Sequence, residues 1–334
     1  MLRASSRPVG QNRGVPIVRT PDPVLPIELV ALDIDGTIIG DDLQVGPDTR
    51  AAIRAARRRG VIVTLITGRM VASAVRFARE LELDAPLVGY QGALIREMPP
   101  AGSDRVGRLL VHTPLKADVA RDVVRWTRSV GLDPHLNHLE RFIVRADDPR
   151  ADEYSAFLGK APRLEDDLVG SITHGVTKVM AAGEPPLPNE VAPEARKRFA
   201  GRAEVTISHP RFIEFVAPGV SKGRAVRYLA RRLGVPLGAV LAIGDQWNDL
   251  EMLLEVGHGT AMPSAPAEVR AAARYIAPPL EEEGVARIIK SLVLASPASV
   301  REASASSAKR SADASRTRDG AAGSGPRPPE AIPA

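Results

Sequence analysis

The sequence predicts an α/β fold: a doubly wound parallel sheet with an α+β domain inserted into it. Three observations carry this. Two runs, ELVALD at 28–33 and VIVTLI at 61–66, are almost continuously apolar, the pattern of strands buried on both faces of a parallel sheet. Helical periodicity separates such runs, as βαβ connections require. The alternation then stops between about 93 and 208 and resumes afterwards, which a second domain threaded into the first explains. A chain of 334 residues has room for about two domains.

Taken in order, the first strand is followed by Pro47 to Arg59, which carries alanines and Ile53, ends in three arginines and stops at Gly60. That is a helix with favourable C-terminal charge. Val71, Ala74, Val75, Ala78 and Leu81 share one face of a second helix, and LVGY at 87–90 reads as a strand. The insert shows strands at 108–111, 141–144, 177–181 and 204–207, with helical stretches near 116–130, 149–158 and 189–200. Ala225, Val226, Leu229, Ala230 and Leu233 then form a helical face, AVLAI at 239–243 is another buried strand, and 247–256 is another helix. The expected division is a Rossmann-like core at 27–92 and 209–293, an α+β cap at 93–208, and disordered tails at 1–26 and 294–334. The tails are rich in Ser, Ala, Pro, Gly and Arg and poor in large apolar groups.

Composition narrows the function. The chain has no cysteine, which excludes a disulfide scaffold, a thiolate metal site and a cysteine nucleophile, and fits a reducing compartment. No apolar run approaches the ~20 residues of a membrane span, and MLRASSRPVGQNRGVP lacks the apolar stretch of a signal peptide. A cytoplasmic protein without a membrane partner is expected. The net charge of +5 suggests a polyanion binder until it is located. Residues 1–26 carry +3 and residues 294–334 carry +2, so the body is neutral, which argues against nucleic acid as the main partner.

Four clusters carry chemistry. Asp33-Ile34-Asp35-Gly36-Thr37 ends the first strand, where ligands bind in open α/β sheets. Two carboxylates at that spacing repel unless a cation or a proton lies between them. A calcium loop starting at Asp33 would need Gly at Ile38 and Glu at Gln44, so that reading fails. Ile66-Thr67-Gly68-Arg69 ends the second strand and suits a phosphate, although a threonine helix cap would look the same. Ser221-Lys222-Gly223 opens a helix with a cation against its dipole, so an anion nearby would explain it better than a solvated lysine. Gly244-Asp245-Gln246-Trp247-Asn248-Asp249 follows another buried strand and reads as a ligand loop or an Asx-turn. All four fall on one rim. Carboxylates for a hard divalent cation, a lysine, a threonine and backbone donors together suit a phosphoryl group. There is no Walker A loop and no G-x-S-x-G, which leaves an aspartate as the nucleophile.

DIDGT, ITGR, SKG and GDQWNDLEML, in that order and with a large insert between the second and third, resemble the haloacid dehalogenase superfamily. Within it they are most similar to the Cof-like phosphatases. The resemblance covers roughly 27–293 and implies Mg²⁺-dependent hydrolysis of small phosphorylated metabolites, sugar phosphates by family analogy. It implies Asp33 as the nucleophile that forms an aspartyl-phosphate. Asp35 would be the acid and then the base. Gly36, Thr37, Thr67, Gly68, Arg69 and Asn248 would surround the phosphate, with Lys222 bridging it to Asp33. Mg²⁺ would be held by Asp33, the backbone carbonyl of Asp35 and Asp245, with Asp249 completing the acidic set and, with Asn248, supporting that loop.

Two positions depart from the family pattern. Gln91 stands where relatives have an asparagine before Gly-Ala, and Ser264 replaces an asparagine that would face Asn248. His135 and His138 flank Asn137 in the cap as candidate metal ligands or substrate contacts, and His209 before Pro210 is expected to be structural at the return to the core. A phosphotransferase would use the same residues. A receiver-like regulator needs neither Asp35 nor a cap, and a non-catalytic binding protein would not need the full motif set.

Overall fold

The computed structural model describes residues 25–103, 106–148, 150, 151 and 161–295. The core sheet has five parallel strands in the order β14-β13-β12-β1-β2. These are β1 (Leu29–Leu32), β2 (Ile62–Leu65), β12 (Val240–Gly244), β13 (His258–Ala261) and β14 (Tyr275–Ile276). Leu29 lies opposite both Val240 and Ile62, so β1 is central. Its four residues explain the continuous hydrophobicity. Val30 and Leu32 join one buried cluster, with Ile53 of helix α1 (Pro47–Arg58) and Phe77 of α2 (Val71–Glu80). Leu29 and Ala31 join the opposite one, with Val226 and Leu229 of α5 (Lys222–Leu233) and Met252 of α6 (Leu250–Glu255). Alternate side chains of one strand feed two cores, which is the doubly wound arrangement expected. Helices α7 (Ala267–Ala272) and α8 (Gly284–Ile288) complete it.

The insert is built on a six-stranded sheet, β10-β11-β9-β6-β7-β8. Its strands are β6 (Asp133–His138), β7 (Arg141–Arg145), β8 (Arg163–Glu165), β9 (Lys178–Ala182), β10 (Glu204–His209) and β11 (Phe212–Val216). Helices α3 (Ala117–Ser129) and α4 (Leu187–Arg198) pack on one face, around Val123, Trp126, Ala195, Phe199 and Phe215. The opposite face turns to the core. Phe142, Val144, Ala182 and Val216 belong to the same apolar cluster as the core residues Leu32 and Phe77.

The limits of the insert differ from 93 and 208. β3 (Leu87–Gly89), β4 (Leu94–Arg96) and β5 (Leu109–His112) form their own antiparallel sheet. It is joined to the core by the parallel bridge Ile66–Val88. At the other end, β11 pairs with β9 inside the cap sheet. Pro210, expected at the return to the core, is instead the turn of the β10–β11 hairpin. The elements of the insert therefore run from Ala117 to Val216. The helix expected near 149–158 falls outside the described residues except at 150 and 151. So do both tails, except that the Leu25 N–H already donates to the Gly238 carbonyl at 3.1 Å and that the last helical stretch runs on through Leu294. Among the described residues, no helix is long and apolar enough to cross a membrane.

Candidate active site

β1, β2 and β12 deliver three of the four clusters to one rim because all are parallel and end together. Asp33 and Asp245 follow their strands by one residue and are 5% exposed. α5 brings the fourth cluster. Ser221 caps it, its Oγ accepting from the Arg224 N–H at 3.1 Å, and Lys222 is its first residue and fully buried. The anions its position called for are there: Nζ lies 2.8 Å from Asp33 Oδ1 and 2.6 Å from Asp249 Oδ1. Burial pulls the Lys222 pKa down, but Asp249 and Asp33 together hold it above the ordinary lysine range.

Asp249 is fully engaged. While Oδ1 meets Lys222, Oδ2 accepts from the backbone N–H groups of Asp245 and Gln246, each at 3.0 Å. It thereby fixes both the lysine and the loop that presents Asp245. The carboxylate of Asp245 accepts from Thr37 Oγ1 at 3.3 Å and from Gln246 Nε2 at 3.4 Å. Gly36 has φ +71°, and a Cβ there would lie 2.3 Å from Asp245 Oδ2, so only glycine lets the first loop pass this close. Burial raises the Asp33 pKa well above the carboxylate range. Lys222 opposes this, and Asp249, Asp245 and Asp35 add to it. Burial, then Asp249, pushes Asp245 up to about 7.

Asp33, Asp245 and Asp249 each offer an oxygen within 4.8 Å of the others. Hard, oxygen-only donors suit Mg²⁺, and three acids whose charges disfavour one another gain from a cation between them. The residues fit the ion.

Asp35 is half-exposed and clamped by Arg69, whose Nε donates to Oδ2 at 2.7 Å and whose Nη2 donates to Oδ1. Arg69 itself is buried over the Phe77 ring. Thr67 is buried, and its Oγ1 accepts from the Arg69 N–H at 3.1 Å, which leaves the hydroxyl proton for an acceptor. Gly68 offers its carbonyl to Lys178 Nζ at 3.0 Å. Asn248 is held by Gln91, its Nδ2 donating to Gln91 Oε1 at 3.0 Å. Ser264 is exposed, so Asn248 finds its partner in Gln91.

The histidine pair does not converge. On the strand β6 a spacing of three puts the rings on opposite faces. His135 is buried against Phe142, while His138 Nε2 lies 3.3 Å from His174 Nε2. His209 ends β10, at the tip of a cap hairpin. Its pKa is lowered, by burial first and then Arg211, with Asp35 and Asp41 opposing.

Sequence reading missed Lys178 and Glu214, buried at 4% and 3% exposure and 3.1 Å apart on the cap face that meets the core. One signal was present: each is a charge inside an apolar strand, KVMAA and FIEFV.

Comparisons with known proteins show the family. The family model for haloacid dehalogenase-like hydrolases matches residues 30–289. The chain is 32% identical over 244 residues to an HMP-PP phosphatase of Serratia proteamaculans, covering 71% of this chain and 84% of that protein. It is 30% identical over 275 residues to the 5-amino-6-(5-phospho-D-ribitylamino)uracil phosphatase YcsE of Bacillus subtilis, covering 80% and 96%. A crystal structure of a haloacid dehalogenase-like hydrolase from Bacteroides thetaiotaomicron superposes with a TM-score of 0.68 at 26% identity, over 79% of this chain and 98% of that one. With the motifs in order, the cap between the second and third, and the acids gathered about Lys222, the chain belongs to the haloacid dehalogenase superfamily, among its Cof-like phosphatases.

Proposed function

We propose that the protein hydrolyses small phosphomonoesters with Mg²⁺ through an aspartyl-phosphate on Asp33. The observation that carries this is the buried Lys222, shared by Asp33 and Asp249 with Asp245 beside them. A carboxylate and a phosphate dianion repel by ~4 kcal/mol per charge pair at ~4 Å even at an effective dielectric of ~20, and this arrangement offsets that repulsion. Bound Mg²⁺ would be held by Asp33, the Asp35 carbonyl and Asp245, with Asp249 behind them, and would neutralise phosphoryl oxygens.

Asp33 Oδ attacks phosphorus in line, the bond to the leaving oxygen breaks, and Asp35 supplies that oxygen with a proton. Asp35 then takes a proton from water, whose oxygen attacks the same phosphorus and frees Asp33 and phosphate. Lys222 and the Thr67 hydroxyl hold the phosphoryl oxygens. Arg69 fixes the direction in which both Asp35 oxygens point. The relatives named as phosphatases of HMP-PP and of a ribitylaminouracil phosphate point to a small phosphorylated metabolite.

Turnover of an aryl phosphate tests the reading: it should require Mg²⁺, stop with EDTA and return with added Mg²⁺. Asp33→Asn should remove it, since an amide does not attack phosphorus, and retention of more than a few per cent would remove Asp33 from the mechanism. Asp245→Ala should raise the Mg²⁺ concentration for half-maximal rate about tenfold or more, ~1.4 kcal/mol. A wild-type Mg²⁺ response in that variant would place the ion elsewhere.

A further inference from the structure

Between the cap and the catalytic loops lies a buried polar chain that the mechanism above does not use. Gln91, 2% exposed, stands at its centre. Its Oε1 accepts from Asn248 Nδ2 on one catalytic loop, and its Nε2 donates to Glu214 Oε2 on the cap strand β11, both at 3.0 Å. Glu214 Oε1 accepts from Ser208 Oγ at 2.6 Å and lies 3.1 Å from Lys178 Nζ. Lys178 closes the circuit by donating to the carbonyl of Gly68, on the other catalytic loop. The chain thus starts on one phosphate-facing loop, crosses into the cap and returns to the second.

Two further observations mark Gln91 as more than filling. Tyr90 and Gln91 both have left-handed backbone, φ 52° and 61°, a conformation that side chains other than glycine rarely adopt. Such strain persists where the surroundings enforce it, and it gathers at functional sites. The amide head also lies directly against Gly68, where a Cβ would come within 2.4 Å of Gln91 Nε2. A buried ion pair, moreover, is weak support for a fold by itself. Here both charges sit on the cap and face the core, so they are desolvated when the cap is seated, and the bonds to Gln91 and Gly68 satisfy them in that state.

We propose that Gln91 is a positioning residue which, through Glu214 and Lys178, holds the loops at 67–69 and 245–249 in reactive register when the cap is seated. This rests on the phosphatase reading for what those loops do. Lifting the cap separates Glu214 from Gln91 and Lys178 from Gly68, so a protein with its cap open holds the reacting groups less closely.

The test uses the full chain with Mg²⁺ and para-nitrophenyl phosphate. Wild-type turnover decides the phosphatase reading by itself. Given that turnover, Gln91→Met, which keeps the length and removes the polar head, should lower kcat about tenfold or more while KM stays within about threefold. Lys178→Met should do the same. The double variant should lose no more than the worse single one, because both cut one circuit. Gln91→Asn keeps an amide on a shorter stem and suits left-handed backbone better, so it should recover about threefold over Gln91→Met. Losses that multiply in the double variant, or a kcat unchanged in Gln91→Met, would overturn the proposal. Amide hydrogen exchange gives a readout without turnover: residues 67–69 and 245–249 should exchange about tenfold faster in Gln91→Met, and β12 and α5 should not. Unchanged exchange in both loops, or equal acceleration throughout, would refute the coupling.

Discussion

At the scale of single residues the site is organised by Lys222. It is fully buried and shared by two buried carboxylates, so its removal leaves Asp33 and Asp249 facing each other without a cation. Breaking a buried pair from one side typically costs ~3–5 kcal/mol. Lys222→Met should therefore lower stability in urea by about that amount in EDTA, and added Mg²⁺ should restore part of it. A melt equal to wild type without metal would mean that the acids are already neutral. Asp33, Asp35, Asp245 and Lys222 were legible in the sequence because each stands beside a punctuation mark: the end of an apolar strand or the start of a capped helix. Gln91 was visible only as a departure. Its cap partner Glu214, and Lys178 beyond it, lie 123 and 87 positions away in sequence, and no local spacing announces a contact across a domain boundary. Within the cap, His138 and His174 meet across 36 positions of sequence, again with no motif to foretell it.

At the scale of elements, β6 repays attention. Pairing with β7 and β9 makes it a strand, which sends His135 and His138 to opposite faces. His135 faces inward, where burial, then Lys178 and Arg150, lowers its pKa from 6.5 to about 3. The folded state thus leaves this ring neutral while the unfolded chain protonates it below pH 6.5. Its contribution is fully present above pH 6.5 and is lost as pH falls toward 3, by about 1.4 kcal/mol per unit. Wild-type stability should fall more steeply between pH 6.5 and 5 than that of His135→Leu, measured by urea unfolding. Parallel slopes would show that the ring is wetted. Element boundaries were the least legible feature. A proline at 210 suggests a boundary equally well as a hairpin turn, and only the pairing of β11 with β9 distinguishes the two. The strands of the core, by contrast, announced themselves, since burial on both faces leaves no room for polar residues in β1 or β12.

At the scale of the whole molecule, the cap is seated by more than the polar chain. Phe142, Val144, Ala182 and Val216 share an apolar cluster with the core, so any movement that admits substrate or frees phosphate brings oily surface into water. Hydrating such surface raises heat capacity. When product release limits turnover, the apparent activation enthalpy of kcat should therefore grow with temperature, and an Eyring plot should curve. A straight plot under release-limited conditions would mean that the cap swings without parting this contact. The same surface is cheaper to wet in the cold, where hydrophobic association weakens. Cooling should then slow the chemistry while easing the exit, so the slow step of the cycle should pass from leaving to reacting as the temperature drops.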